Sequence, residues 1–339
     1  MAPFFSKAVD RRTALETLGL SGLGLFALSS MPACAFEQDS DSFNKLLLKF
    51  TAESRKRLLD ILNAQDFSGQ IPAAEAKRLV MSDANGIEAV MVGLLPLART
   101  YARPPISKFL VGAVARGVSG SLYLGANIEF PGLPLGFSVH AEQAALSNAY
   151  MHSDEGVSAI AVTAAPCGHC RQFMNELSPE GQIEILLEGH PTVKLSALLP
   201  MAFGPRDLGF KDGAFPVKEV DLVLPDAPSD ALSRATVDAA RKSYARYTKA
   251  QSGVAIGTKA GRIYKGSYIE NAAFNPSLSP FQAALVGLIV AGEDLSAISR
   301  VVLAEVNAAK ISQKIVTEAS LSAIAPTVRL EVLNANINS

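Results

Sequence analysis

Two short motifs contain residues that could bind a metal ion and transfer a proton. His140 stands two residues before Glu142. Downstream, Cys167 and Cys170 enclose a Gly-His pair. An imidazole and two thiolates are suitable ligands for a catalytic zinc ion, which keeps its fourth coordination position open. The sequence therefore predicts one zinc ion, bound by His140, Cys167 and Cys170.

Glu142 is expected to act beside the metal rather than to bind it. Residues two positions apart on a helix point about 200° away from each other, so Glu142 cannot easily chelate together with His140. A carboxylate beside a metal-bound water can take its proton and pass it to a substrate, which is worth roughly 10² to 10⁴ in rate. We therefore predict that Glu142 is the catalytic proton carrier.

Each motif alone has an ordinary explanation. A Cys-x-x-Cys pair is often a redox pair or half of a structural zinc site. A structural site requires a fourth ligand, but Cys34 is remote and His169 is interpreted as a surface residue or a neighbour of the ligands. Together, His-x-Glu at one helix start and Pro-Cys-x-x-Cys at the next form the zinc deaminase signature. The combination therefore favours deaminase chemistry.

Strand and helix patterns alternate along the segment that carries these motifs. In order, the apolar patterns predict two hairpin strands, a helix, a strand, a helix and a strand, at residues 109–116, 121–124, 140–150, 159–163, 167–177 and 183–187. Such alternation is typical of a layered α/β domain. Both motifs would then begin helices, where free backbone N–H groups favour a thiolate.

The first 35 residues have the layout of a signal peptide. Arg11 and Arg12 precede a short uncharged run, and small residues follow it. The arginine pair predicts export to the periplasm by a twin-arginine route. The alternative is that Met31 is the true start and the protein is cytoplasmic. The uncharged run is too short to span a bilayer, so no stable membrane span is expected.

The rest of the chain is predicted to contain a helical segment and two related domains. Residues 36–100 form the N-terminal helical segment, and residues 101–224 form the catalytic domain. The turn-rich stretch 225–230 is typical of a linker, and residues 225–339 repeat earlier motifs in the same order. The repeated pairs are residues 101–103 with 244–246, 123–129 with 264–270, and 143–146 with 282–285.

The second repeat lacks the chemistry of the first. Ser279 takes the place of His140, and Phe281 takes the place of Glu142. No cysteine follows Cys170. We therefore predict that the second half is degenerate and non-catalytic, so that each chain holds one zinc ion.

The motifs resemble those of the bacterial two-domain, homodimeric cytidine deaminases. The resembling segments are residues 107–113, 125–130, 140–143, 166–177 and 202–208. The resemblance implies a duplicated, three-layer α/β/α sandwich of the cytidine deaminase type. It also implies a homodimer that hydrolyses cytidine and 2′-deoxycytidine to the uridines with release of ammonia, in pyrimidine salvage.

The same resemblance implies roles for residues around the zinc site. Phe109 would pack on the base, and Asn127 and Glu129 would hold the ribose hydroxyls. The backbone N–H of Ala141 and the carbonyl of Ala165 would meet the pyrimidine edge. Without these motifs, Phe109 would be read as a core residue of a strand and Asn127 as a turn residue.

The charge balance bears on the class of substrate. The chain has 31 basic and 32 acidic residues, which leaves no basic excess to neutralise a run of phosphates. Small neutral molecules are therefore favoured over nucleic acid as partners, and the resemblance implies that they are cytidine and deoxycytidine nucleosides. Two alternatives stay open: a deaminase that acts on cytosine in single-stranded nucleic acid, and a non-catalytic, zinc-stabilised binding protein. The presence of Glu142 argues against the second.

Overall fold

The computed structural model describes residues 44–83, 86–178, 182–225, 228 and 230–338. The signal-like segment at 1–35, with its arginine pair, Met31 and Cys34, lies outside these residues. The helices are α1 Ala52–Leu62, α2 Ala73–Asp83, α3 Ile87–Gly93, α4 Leu95–Thr100, α5 Ala141–Met151, α6 Gly168–Leu177, α7 Leu195–Leu198, α8 Ala231–Arg241, α9 Pro280–Val290 and α10 Lys314–Ile324. The strands are β1 Gln70–Ile71, β2 Gly112–Gly117, β3 Leu122–Ala126, β4 Val157–Val162, β5 Glu184–Leu187, β6 Val193–Lys194, β7 Leu222–Val223, β8 Ser252–Thr258, β9 Ile263–Ser267, β10 Ile298–Val306 and β11 Leu330–Ile337.

The residues before the first long strand are mainly helical, as their apolar pattern predicts. α1 begins after Thr51, whose hydroxyl accepts a hydrogen bond from the Ser54 N–H at 3.3 Å. Leu58 and Leu62 of α1 are buried, because residues four apart lie on the same face of a helix. This face attaches the helical segment to the main core.

The first sheet has the strand order β1-β3-β2-β4-β5-β6. β2 and β3 form the predicted hairpin, and β4 runs parallel to β5. A parallel pair needs a long crossover connection, and α6 lies within it. β2 begins at Gly112 rather than at Phe109, because the side chain of Asn127 bonds the Phe109 carbonyl and the Val111 N–H in place of a neighbouring strand.

Two glycines show that helices cover both faces of this sheet. A Cβ at Gly112 would lie 2.5 Å from the backbone nitrogen of Arg99 in α4, and one at Gly125 would lie 2.1 Å from that of Ala145 in α5. Across the β2–β3 pair, Gly125 lies opposite Ala113, the residue after Gly112. Because successive residues of a strand point to opposite faces, Gly112 and Gly125 face opposite sides of the sheet. The predicted α/β/α layering is confirmed.

The second sheet repeats this arrangement with the order β7-β11-β10-β8-β9. β10 and β11 are parallel, as β4 and β5 are. A Cβ at Gly253 would lie 2.2 Å from the backbone nitrogen of Ala240 in α8, and one at Gly266 would lie 2.2 Å from that of Ala284 in α9. The fold is therefore duplicated. β7 lies just before the predicted boundary at residue 225, and the exact domain limits stay a prediction.

The structural register corrects one of the predicted repeats. Arg103 forms an isolated bridge to Ile128, and Tyr244 forms the same bridge to Ile269 in the second half. Arg103 therefore corresponds to Tyr244 and not to Arg246. The prediction that residues 101–103 repeat as 244–246 is wrong, because the shared Tyr-Ala-Arg letters are out of register.

Among the described residues, no single helix is both long and apolar enough to cross a membrane. Within the described ranges, one bent pair of helices, Ala73–Asp83 with Ile87–Thr100, is long and apolar enough when the two are taken together, by length and composition alone.

Candidate active site

The starts of two helices bring the predicted metal ligands together. His140 is the residue before α5, Cys167 is the residue before α6, and Cys170 lies in the first turn of α6. The His140 Nδ1 atom lies 3.5 Å from the Cys167 Sγ atom and 3.3 Å from the Cys170 Sγ atom. The two Sγ atoms are 3.7 Å apart. The three predicted ligands therefore form one cluster that could hold a metal ion.

The cluster has the dimensions of a tetrahedral zinc site. Zn–S bonds of about 2.3 Å and Zn–N bonds of about 2.0 Å place two ligand sulfurs about 3.8 Å apart, and a sulfur and a nitrogen about 3.5 Å apart. The observed separations are close to these values. Three protein ligands leave the fourth position of a tetrahedron free, which is the arrangement of catalytic zinc sites.

The two cysteines share a proton in the absence of metal. A hydrogen bond joins the two sulfurs, and it is the main cause that lowers the pKa of Cys167 to about 4. The same hydrogen bond, together with burial, raises the pKa of Cys170. Backbone N–H groups of His169 and Cys170 at the start of α6 also stabilise the Cys167 thiolate. One of the two sulfurs of the cluster is therefore already a thiolate.

Glu142 lies on the floor of the site. Its side chain is 4% exposed, and its carboxyl group is close to the Cys170 thiol. Burial is the largest effect on the Glu142 carboxyl and raises its pKa, against the opposing effects of its own backbone N–H and of His140. A carboxyl group with a raised pKa can hold and release a proton nearer to neutral pH than an exposed glutamate can.

A cavity of about 460 Å³ opens above this floor. Its volume is within the range of small-molecule sites. Of the nine residues predicted for the site, eight line the cavity, and Cys170 is buried beneath it. The lining residues are Ile106, Ser107, Phe109, Val111, Asn127, Glu129, Leu135, Ser138, Val139, His140, Ala141, Glu142, Ala164, Ala165 and Cys167.

Asn127 and Glu129 are both bonded to the loop that forms one wall of the cavity. The Asn127 side chain accepts from the Val111 N–H and donates to the Phe109 carbonyl, both at 2.9 Å. The Glu129 carboxylate accepts from the Ser107 N–H at 2.9 Å and from the Ser107 hydroxyl at 2.5 Å. These hydrogen bonds lower the pKa of Glu129 against the effect of burial. Both residues therefore shape the cavity wall in addition to any contact with a ligand.

Comparisons with known proteins agree with this geometry. Residues 86–183 and residues 195–318 each match the family described as the cytidine and deoxycytidylate deaminase zinc-binding region. The chain is 41% identical to the cytidine deaminase of Vibrio vulnificus, in an alignment covering 86% of this chain and 98% of that protein. It is 44% identical to the cytidine deaminase of Yersinia pestis, with 78% and 89% covered.

The chain belongs to the cytidine and deoxycytidylate deaminase family. Its relatives include the cytidine deaminase of Vibrio parahaemolyticus, which is 42% identical over 82% of this chain and 94% of that protein. Among solved structures, the cytidine deaminase of Burkholderia pseudomallei aligns with 34% of this chain and 97% of its own, at 31% identity and a TM-score of 0.31. The cofactor of the family is zinc.

In the second half of this deaminase chain, the corresponding helix start carries no metal ligand set. Ser279 precedes α9 as His140 precedes α5, and its hydroxyl accepts from the Gln282 N–H at 3.3 Å. Phe281, at the place of Glu142, is fully buried. Residues 195–318 match the family although the sequence has no cysteine after Cys170. The family match of the second half therefore reflects the fold that it shares with the first half, and not a set of metal ligands.

Several cavity residues were not singled out in the sequence. Ser107 lies in a motif that resembles the family, but its hydrogen bond to Glu129 depends on how two distant loops meet. Leu135, Ser138 and Val139 lie in the Gly- and Pro-rich segment before α5, where no periodic pattern indicates which side chains face a ligand. His169 is half-buried, and its ring centre lies 5.4 Å from that of His140, as expected for a neighbour of the ligands.

Proposed function

We propose that this chain is a zinc-dependent hydrolase that converts cytidine and 2′-deoxycytidine to uridine and 2′-deoxyuridine, with release of ammonia, in pyrimidine salvage. One observation carries the proposal: a ligand cluster of zinc dimensions and a buried glutamate share the floor of a cavity of ligand size. Membership of the deaminase family supports the substrate class. The expected partner is therefore a free nucleoside, which is the substrate.

His140, Cys167 and Cys170 would hold the zinc ion. Bound zinc acts as a Lewis acid and makes water nucleophilic near neutral pH by lowering its pKa to about 7. Because His140 and Cys167 immediately precede helices, their positions are fixed by two elements that are anchored in the core. The site therefore needs little rearrangement to accept the ion.

Glu142 would carry the protons that the reaction requires. Hydrolysis forms a C4–O bond, breaks the C4–N bond and releases ammonia, so two protons of water must reach the pyrimidine. Glu142 takes the first proton and delivers it to N3 of the ring, and then carries the second to the departing amine. Its raised pKa suits a group that is protonated and deprotonated in each cycle.

The other predicted residues would orient the nucleoside. Phe109 is 61% exposed at the mouth of the cavity, where its ring could cover the base. Ala141 is the first residue of α5, so its backbone N–H has no partner within the helix and can bond the pyrimidine edge together with the Ala165 carbonyl. Asn127 and Glu129 would hold the ribose hydroxyls with the hydrogen-bonding capacity that their loop contacts leave free.

We also propose that the enzyme is a homodimer, as in the proteins that it resembles. Large apolar side chains surround the cavity mouth, and Phe109 and Leu135 are 61% and 72% exposed. Exposed apolar patches beside a ligand site often mark an interface. A second chain would cover this surface and close the cavity.

An ammonia-release assay tests the proposed activity. Purified protein is expected to release ammonia from cytidine and 2′-deoxycytidine, and a zinc chelator should abolish the release until zinc is restored. A single-stranded oligonucleotide that contains cytosine serves as the comparison substrate. Faster turnover of the oligonucleotide than of cytidine, or no zinc dependence, would contradict the proposal.

A further inference from the structure

Gln143 and Gln282 occupy the same place in the two halves of the molecule. Each is the third residue of a central helix, α5 or α9. The Gln143 Oε1 atom accepts from the His140 N–H at 3.3 Å, and the Gln282 Oε1 atom accepts from the Ser279 N–H at 2.9 Å. Each side chain therefore satisfies a backbone N–H at the start of its own helix.

The other end of each side chain crosses to the opposite half. The Gln143 Nε2 atom donates to the Pro276 carbonyl at 3.1 Å, and the Gln282 Nε2 atom donates to the Phe137 carbonyl at 2.6 Å. Gln143 is 2% exposed and Gln282 is 6% exposed. The two glutamines thus form a reciprocal pair of buried links between the catalytic and degenerate halves.

The carbonyl that Gln282 bonds lies in the segment that forms one wall of the cavity. Phe137 ends the short 3₁₀ turn Leu135–Phe137. Leu135, Ser138 and Val139, around this carbonyl, line the cavity. The segment is rich in glycine and proline. Its turn is held by local hydrogen bonds from the Phe137 N–H to the Pro134 carbonyl and from the Ser138 N–H to the Leu135 carbonyl, and Val139 is bonded to Ile128 within the catalytic half. The contact with Gln282 therefore fixes this wall against an element outside the catalytic half.

Further contacts hold the same two halves together near the zinc ligands. In the loop at residues 271–277 of the degenerate half, the Ala272 N–H donates to the Glu176 carboxylate at 2.8 Å. Asn271 Nδ2 donates to the Gln172 carbonyl at 3.1 Å. Glu176 and Gln172 lie in α6, which begins beside the ligand Cys167. The links formed by the glutamines are therefore part of a broad contact and not an isolated pair of bonds.

We propose that Gln282, in the half without catalytic residues, is a positioning residue for the deaminase reaction. It holds the cavity wall at residues 135–139 in the position that binds the nucleoside. The degenerate half retains this glutamine although it lacks the histidine and glutamate of the motif. The inference rests on the proposed function, because it assigns the cavity to a nucleoside.

Three variants separate this role from simple support of α9. Gln282→Leu removes both hydrogen bonds of the side chain. Gln282→Glu keeps the volume and the acceptor for the Ser279 N–H, but replaces the donor to the Phe137 carbonyl with a repelling oxygen. Ser279→Ala is the matched control, because it removes the other hydrogen bond at the same helix start and leaves the link to Phe137 intact.

The measurements are KM and kcat for cytidine, the dissociation constant of uridine, the zinc content and the thermal midpoint. We expect both Gln282 variants to raise KM and the uridine dissociation constant about tenfold, the effect of losing one buried hydrogen bond. The value of kcat and the zinc content should stay close to wild type. In Ser279→Ala, KM and uridine binding should stay close to wild type even if the thermal midpoint falls.

If the Gln282→Glu protein folds and has the same KM for cytidine and the same uridine dissociation constant as the wild type, the proposal is overturned. An equal rise of KM in Ser279→Ala would also overturn it, because the effect would then belong to the helix start. If Gln282→Leu does not fold, the near-isosteric Gln282→Glu decides. Absence of cytidine turnover by the wild-type chain would refute the proposed function, whereas absence of uridine binding by that chain would refute this inference.

Discussion

At the scale of single residues, the shared proton of Cys167 and Cys170 determines how zinc binding depends on pH. The pKa of Cys167 is lowered to about 4, so its thiolate persists at any pH well above that value. The pKa of Cys170 is raised, so its thiol keeps a proton at neutral pH in the absence of metal. Ligation of zinc by both cysteines would require two thiolates and would displace the proton of Cys170.

Zinc binding at pH 7.5 should therefore release about one proton per ion from the cysteine pair. The apparent affinity for zinc should fall as the pH is lowered, because protons then compete for the sulfurs. Calorimetric titrations of the metal-free protein with zinc, in buffers of different ionisation enthalpy, measure the number of protons released. Release of no proton would contradict the shared-proton arrangement, whereas release beyond one proton is expected from the zinc-bound water, whose pKa falls to about 7.

The individual residues of the site differ in how far their roles could be predicted from the sequence. The cluster of His140, Cys167 and Cys170 was predictable because few residue types bind zinc and their spacing beside two helix starts is restrictive. The loop contacts of Asn127 and Glu129 were not, because they join segments whose relative positions depend on the whole sheet edge. Periodicity reports which face of an element is buried and says little about irregular loops.

At the scale of elements, α6 joins the metal site to the second half of the molecule. It starts beside Cys167 and ends at Leu177. Near its end, the fully buried Glu176 carboxylate accepts from the Tyr244 hydroxyl at 2.7 Å and from the Tyr247 hydroxyl at 2.5 Å. The pKa of Tyr244 is raised mainly by its burial and, to a smaller extent, by the negative charge of Glu176. The carboxylate therefore has several donors that compensate for its burial.

Glu176→Gln should destabilise the protein by about 2 kcal/mol, because the tyrosine hydroxyls lose a charged acceptor and a buried donor is introduced. Denaturant unfolding monitored by circular dichroism measures the change in free energy. Glu155→Gln, at an exposed position, is the control and should leave the free energy nearly unchanged. Equal stability of the Glu176 variant and the control would show that the carboxylate does not hold the two halves together.

The order and type of the elements around the site were largely predictable, since each carries a clear apolar pattern. The predicted helices at 140–150 and 167–177 correspond to α5 and α6 within a few residues. The start of β2 was misplaced, because a side-chain contact of Asn127 replaces the strand ladder there. The false repeat at residues 244–246 arose because three shared letters carry less information than the hydrogen-bonding register.

At the scale of the whole molecule, the fold is duplicated, but the part of the chain that the structure describes holds one candidate metal cluster. α5 and α9 are buried along nearly their entire length, which places the two helix starts at the centre of the fold. The second half has Ser279 and Phe281 in place of His140 and Glu142, but it has the same capping glutamine and the same close packing of a glycine, Gly266, on its central helix α9. The residues that the fold of each repeat requires are therefore different from the residues that the chemistry requires.

The proposed homodimer makes a prediction at this scale. Light scattering of the active protein should give a mass of two chains, each 35.7 kDa before any processing. Dilution that dissociates the dimer should lower specific activity, because the apolar mouth around Phe109 and Leu135 would lose its cover. A fully active single-chain species would contradict the proposal.

The most direct test of the account is the Glu142→Gln variant, measured for zinc content and cytidine turnover in the same preparation. The variant keeps His140, Cys167 and Cys170, so we expect about one zinc per chain. Turnover should fall by roughly 10² to 10⁴ or more, because the proton carrier is lost. Glu155→Gln, the exposed control, should match wild type in both measurements. Wild-type turnover in zinc-loaded Glu142→Gln would contradict the central claim that this buried carboxylate carries the protons of the reaction.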